Sequence, residues 1–137
     1  MSIDMSLNES QLKERISGMF NDGIIENLTV DDSLMGLHLL KEEFKSKNYL
    51  KSEKNTISYF KALSNPHRLK IIKLIKNGIK CSCQLEFALE LSQPTISHHL
   101  KILQQAKIIS IKPKGKWRLI SLNETPIIFW VLSQFTH

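Results

Sequence analysis

Apolar residues recur at helical spacing over most of the chain, and the period shortens to two at one place only, after residue 107. Residues 1–7 carry no strong pattern and read as a frayed end. Asn8 then stands where it can cap a helix running to about residue 20, with Leu12, Ile16, Met19 and Phe20 on one stripe. Asn21-Asp22-Gly23 is a turn signal. Thr29, Asp31 and Asp32 supply a cap and N-terminal negative charge for a second helix to about residue 47. Leu34, Leu37, Leu40 and Phe44 trace its apolar spacing, and His38 lies beside them. Residues 47–55 are polar and read as a linker.

From residue 55 the pattern tightens. Ile57, Phe60, Ala62 and Leu63 make a short amphipathic helix. Asn65 and Pro66 suit the cap and first position of the next, whose Leu69, Ile72 and Ile75 point inward and which stops at Asn77-Gly78. A third short helix over 83–91 has Leu85, Ala88 and Leu89 as its core side. Ser92 caps a fourth, with Pro94 in the first turn, where its missing N–H costs nothing. Ile96, Leu100 and Leu103 repeat at i, i+4 and i+7 and must face the core. The other side of this helix then presents Gln93, Thr95, Ser97, His98 and Lys101, short, flat or charged side chains suited to base edges and phosphates. His99, three residues after Ile96, falls at the core edge.

Two alternating runs follow, Ile109 and Ile111 on one side and Trp117, Leu119 and Leu122 on the other. They bracket Lys112, Pro113, Lys114, Gly115 and Lys116, which predicts a β-hairpin with a three-lysine tip, and Arg118 extends the charge along the returning strand. Thr125-Pro126 opens a last helix to about residue 135. It carries Ile127, Ile128, Phe129, Trp130, Val131, Leu132 and Phe135, too many large apolar groups for one core, so part of it is expected to meet another subunit. Two short helices around a tight turn, followed by a basic hairpin, predict a mainly α fold: a winged helix-turn-helix over 55–137 with an added N-terminal helical arm over 1–54.

Charge sharpens this division. Residues 1–57 hold ten acidic and seven basic residues, a net of −3; residues 58–137 hold three acidic and twelve basic, a net of +9. A basic body behind an acidic arm favours a polyanion as the body's partner. In 137 residues no apolar run approaches the ~20 needed to cross a bilayer, and the first ten residues have neither a basic nor an apolar leader segment, so a cytoplasmic protein with no membrane partner is expected. No nucleophile–base–orienter set and no Gly-rich phosphate loop appears, which argues against an enzyme. The alternative to a DNA regulator is a winged-helix module that binds a protein through its apolar last helix and acidic arm.

The chain's two cysteines, Cys81 and Cys83, sit one residue apart at the entrance to the helix-turn-helix. In a reducing compartment such a pair is metal-binding or reactive rather than a structural staple. Two thiolates suit a soft ion: As(III), Sb(III), Cd, Pb or Zn. Two ligands are an incomplete set, to be completed by Glu86, His38, a partner-chain group, water or an added thiol. A second reading is thiol redox, since a helix N-terminus and the neighbouring Lys80 lower a cysteine pKa. A third is that both are small packed side chains without a sensing role.

The run KALSNPHRLKIIKLI, the CxC entrance, LSQPTISHHLKIL and KGKWRLISL, in this order and spacing, resembles the ArsR/SmtB-type family of winged-helix metalloregulatory repressors over about residues 57–122. The resemblance implies a homodimer that binds a palindromic operator in double-stranded DNA through Ser92, Gln93, Thr95, Ser97, His98 and Lys101. It also implies a wing bearing Lys112, Lys114, Lys116 and Arg118, no required cofactor, and release by an inducer. The terminal helices make the dimer interface in that family, which fits the apolar stretch 126–135, and the arm is expected to enlarge it. The arsenic-responsive members carry C-x-C-x-x-C. Cys81 and Cys83 match, but Glu86 stands at the third position. The arm has no cysteine of the kind that completes the cadmium- and lead-responsive sites, and residues 125–137 lack the zinc-responsive pattern.

Overall fold

The computed structural model describes residues 6–135; most of the patternless stretch 1–7 lies outside them. The elements run α1 (Glu9–Asn21), α2 (Val30–Phe44), α3 (Lys47–Leu63), α4 (Pro66–Lys76), α5 (Ser82–Leu89), α6 (Gln93–Gln105), β1 (Ile109–Lys114), β2 (Trp117–Leu122) and α7 (Pro126–Ser133). The chain divides into two compact units at Lys51 and Ser52.

In the first unit, α1 and α2 begin with matching devices. The Asn8 side chain accepts from the Gln11 N–H at 2.8 Å while Gln11 Oε1 accepts from the Asn8 N–H at 3.0 Å. Thr29 and Asp32 make the same reciprocal pair. Each satisfies N–H groups that a helix start leaves orphaned. Ile16 and Leu34 are the buried side chains of the pair, and Lys13 meets Asp31 at 3.3 Å. The expected stripes are otherwise open: Met19, Phe20, Leu37, Leu40 and Phe44 stay exposed.

The predicted linker at residues 47–55 is instead the beginning of the 17-residue α3. Its sequence, KNYLKSEKN, has no glycine or proline, and five of its nine residues are the good helix formers Lys, Leu or Glu, so low apolar content does not break the helix. The amphipathic reading of its second half holds for Ala62 and Leu63, which are buried, but not for Ile57 and Phe60, which are about half exposed.

The second unit is built around one core. Ile71 and Ile72 of α4, Leu85 of α5, Ile96 and Leu103 of α6, Ile108 and Ile109 at the start of the hairpin, and Ile128 of α7 are all at most 1% exposed. At ~1.5–3 kcal/mol for each fully buried large aliphatic group, these eight residues supply the dominant drive for the fold. Asn65 caps α4 by accepting from His67 and Arg68 N–H, with Pro66 at the first turn. Helix α5 ends at Leu89 because Glu90 turns left-handed, with φ 55°. Ala88 is exposed rather than part of the core side, since α5 buries Leu85 alone completely. Helix α6 ends where Lys107 takes φ 61°, and its chain then enters β1 directly.

The two strands pair antiparallel from Ile109 opposite Leu122 to Lys114 opposite Trp117. The tip turns through Gly115, whose φ of 59° is the conformation glycine adopts most cheaply. The base of the hairpin is tied down by Asn123. Its Oδ1 accepts from Ser110 Oγ at 2.8 Å, its side-chain amide donates to the Lys107 carbonyl at 2.9 Å, and its backbone N–H donates to Ile108 O. No helix of the described residues is long and apolar enough to cross a membrane.

Candidate nucleic-acid interface

Burying Ile96, His99, Leu100 and Leu103 fixes the rotation of α6 about its axis. What remains outward is the polar face read from the sequence: Ser92, Gln93, Thr95, Ser97, His98 and Lys101 are all exposed. Ser92 is the N-cap by its extended backbone, but its hydroxyl bonds Thr95 Oγ1 at 2.9 Å rather than the helix N–H groups. Gln93 Nε2 donates to Ser97 Oγ at 2.9 Å. The first turn of α6 is thus a short lattice of donors and acceptors held in place by its own side chains. A ligand with matching edges can replace these internal bonds with its own.

The hairpin brings the second part. Lys112, Lys114, Lys116 and Arg118 are exposed, with Lys116 Nζ 5.2 Å from the Trp117 ring centroid. No carboxylate pairs with any of these four among the described residues, whereas Lys76 pairs with Glu124 and Lys13 with Asp31. Unpaired cations at a hairpin tip are what a polyanion attracts without reading sequence.

The cysteines lie at the start of α5, next to the hairpin. Cys81 is the N-cap residue of α5, half-buried, and Cys83 is exposed in the first turn. Their sulfurs form a disulfide in this structure. Gln84 Oε1 accepts from the backbone N–H of both Lys80 and Cys81, at 3.0 and 3.2 Å. The Lys80 carbonyl accepts from Ile120 N–H of β2 at 2.8 Å. The segment entering the cysteine pair is therefore bonded to the hairpin on one side and to α5 on the other. Glu86 is half-buried one turn further along α5, and the described residues contain no cluster of three His, Cys, Asp or Glu side chains grouped as for a metal ion. His38 lies in the first unit, where its Nε2 is 3.4 Å from Glu9 Oε1. A soft ion would thus find two sulfurs, once reduced, and would take its remaining ligands from elsewhere.

Periodicity places His99 at the core edge but gives no hint of its partner. It is buried, and its Nδ1 is 3.2 Å from Nη1 of Arg68. Burial, and then the positive Arg68 and the neighbouring His67 and His98, hold its pKa below the ordinary histidine value. The signal in the sequence was the pairing of NPHR at one helix start with HH inside another, but nothing in helical spacing joins positions 31 residues apart.

Helix α7 has the opposite character. Ile128 and Val131 are buried, while Phe129 and Trp130 are 75% and 62% exposed. An apolar groove of about 590 Å³ runs between α7 and the end of α3, lined by Phe60, Leu63, Leu69, Ile127, Trp130 and Phe135 among others.

Three comparisons place this arrangement among known proteins. A family model described as "Bacterial regulatory protein, arsR family" matches residues 65–110. Transcriptional repressor SdpR of Bacillus subtilis is 43% identical over 77 residues, which cover 54% of this chain and 86% of that protein. The arsenical resistance operon repressor of Staphylococcus xylosus is 36% identical over 72 residues, 53% of this chain and 69% of that protein. The homodimeric winged helix-turn-helix DNA-binding domain of Mb0332 from Mycobacterium bovis, a possible ArsR-family transcriptional regulator, superposes with a TM-score of 0.58 at 20% identity. That match covers 66% of this chain and 84% of that one, a likeness of fold. With a winged helix-turn-helix built from α4 to β2 and relatives matched over most of their length, the chain belongs to the arsR family of bacterial regulatory proteins and is a DNA-binding transcriptional regulator, not an enzyme.

Proposed function

We propose that this protein is a dimeric repressor that holds a palindromic operator until a thiol-directed signal at Cys81 and Cys83 releases it. The observation that carries the reading is the coincidence of an exposed polar face on α6 with an unpaired basic hairpin in one rigid core. Gln93, Thr95 and Ser97 are the base-reading residues, assisted by Ser92 and His98. Lys101, Lys112, Lys114, Lys116 and Arg118 contact phosphate. Two copies joined through α7 would present their α6 helices about 34–36 Å apart, one turn of B-DNA. The named repressors among its relatives support the sign of regulation. A gel-shift titration against the DNA upstream of its own coding sequence tests it. Sequence-independent binding that salt abolishes equally for every duplex would reject the operator reading.

The signal acts at a junction. Any change at Cys81 moves Lys80, and Lys80 is hydrogen-bonded to both the wing strand and the start of α5. A coupling of ~1–3 kcal/mol between signal and DNA needs only that this junction differ between the bound and released states. Two chemistries fit. As(III), Sb(III), Cd, Pb or Zn would bind the two thiolates and take further ligands from Glu86, a partner chain, water or a small thiol. Alternatively an oxidant accepts two electrons and two protons from the thiols and leaves a Cys81–Cys83 disulfide, the pairing in which this structure holds them. Release measured against each ion and against a disulfide donor, in wild type and in Cys81→Ser/Cys83→Ser, separates them. Release of the double variant by the same agents would remove the cysteines from the mechanism.

A further inference from the structure

The Arg68 guanidinium spans three elements. Its Nε donates to the Ala62 carbonyl at 2.7 Å and its Nη2 to the Lys61 carbonyl at 3.2 Å, while Nη1 reaches His99 Nδ1 at 3.2 Å. The two carbonyls belong to the last turn of α3, where a helix leaves acceptors without intrahelical partners. The third contact lands in the middle of α6, three residues from the buried Ile96. One side chain of α4 thus closes the C-terminal end of α3 and fastens the helix that carries the polar face. The same end of α3 contributes Phe60 and Leu63 to the apolar groove beside α7.

The chemistry of this contact is one-way. Arginine is a donor only and stays protonated, so His99 Nδ1 must be the acceptor. The ring is then neutral, with its proton on Nε2. A second proton would go to Nδ1, where it would face an N–H of a cation, and the bond would be lost.

We infer that Arg68 and His99 are the positioning pair of the recognition helix, and that protonating His99 breaks this tie, loosens the middle of α6 within the core and weakens operator binding. The inference rests on the DNA-binding reading of α6. The groups around His99 offer the proton no compensation. From α4 come Arg68 and His67, whose ring is 5.7 Å away and whose Nδ1 is buried without a hydrogen-bond partner. From its own helix comes His98, at 5.9 Å. From α3 come Lys54 and Lys61, which line the groove that Arg68 borders. Burial, and then the charges of Arg68, His67 and His98, all act to keep it neutral. Because the folded state depresses this pKa, its contribution is complete above the ordinary histidine value of about 6.5 and is lost as the pH falls through the folded value.

The neighbouring His98 is exposed on the outer face of α6 and is kept unchanged in every variant below. Anisotropy titrations with an operator duplex from pH 7.5 down to the acid limit of the fold, at constant ionic strength, should show wild type losing about tenfold in affinity as His99 takes up its proton, the effect of one charge-assisted hydrogen bond. His99→Asn, whose Oδ1 can take the place of Nδ1 without titrating, should stay within about twofold over the same range. Arg68→Gln should be weakened at pH 7.5 and lose the pH dependence. Equal losses in wild type and His99→Asn, or a gain in wild type, would overturn the inference. The pair can also be read without DNA. The ring ¹⁵N shifts of His99 should report the Nε2–H tautomer at pH 7.5, and amide exchange in α6, corrected for its intrinsic rate, should accelerate on protonation. A Nδ1–H tautomer, or unchanged protection in α6, would overturn it independently of any duplex. Failure of operator recognition with the tautomer intact would instead count against the repressor reading.

Discussion

Helices α6 and α7 belong to the same core and turn opposite characters to the outside. Each buries aliphatic side chains completely, Ile96 and Leu103 in one and Ile128 in the other. Outside, α6 shows hydroxyls, an amide, an imidazole and a lysine, whereas α7 shows Phe129 and Trp130. The polar surface needs no cover and is suited to a wet, charged ligand whose contacts are made and broken. The apolar surface is costly to leave in water, at roughly 25 cal/mol per Å², and is suited to a partner that stays. The difference fits the proposal of an exchangeable contact at α6 and a permanent one at α7.

Trp130→Glu should break this division most severely. A carboxylate in the apolar groove would abolish the dimer in sedimentation and reduce operator affinity by at least about 100-fold, since each half-site would then bind alone. An unchanged dimer would move the interface away from α7. Leu103→Ala should lower stability by about 2–5 kcal/mol, read from the shift in urea midpoint, because Leu103 is wholly enclosed. A cost below 1 kcal/mol would mean that α6 is not anchored through this side chain.

Gln93→Ala should cost about 1–3 kcal/mol on the best operator and relax the preference at a single base pair. A uniform loss on all duplexes would make Gln93 a phosphate contact. Lys114→Ala should act in that uniform way, and should reduce the slope of log affinity against log salt by about one. Deleting residues 1–50 should weaken dimerisation if the open apolar stripes of α1 and α2 pack across the dimer; unchanged dimer affinity would refute that role.

The caps were the most legible part of the chain. Asn8, Thr29, Asn65 and Thr125 each stand at a helix start, because a short side chain with an acceptor meets a local need that does not depend on the rest of the fold. The rotation of α6 was equally plain, since three aliphatic residues at helical spacing leave one face free. Two things were hidden for physical reasons. Residues 47–55 form a helix on propensity rather than on an apolar stripe, and periodicity registers only the stripe. The bond from Arg68 to His99 joins two helices through side chains of no fixed spacing, so only the tertiary fold reveals it. The cysteines fall between these cases. Their position at the start of α5 follows from the sequence, but the set of ligands that would complete a metal site does not.

The hairpin's restraints are distributed unevenly. Asn123 and the Ile120–Lys80 bond lock its base to the end of α6 and the entrance of α5, while every side chain from Lys112 to Arg118 is exposed and only the two-stranded ladder holds the tip. Such a shape works as a cantilever, stiff at the root and compliant at the free end. If the tip meets DNA as proposed, its lysines would rise or dip with the local width of a groove without disturbing a register set at α6. Base sequence under α6 would then be read as a match or mismatch, whereas sequence under the tip would be felt as a graded resistance to bending.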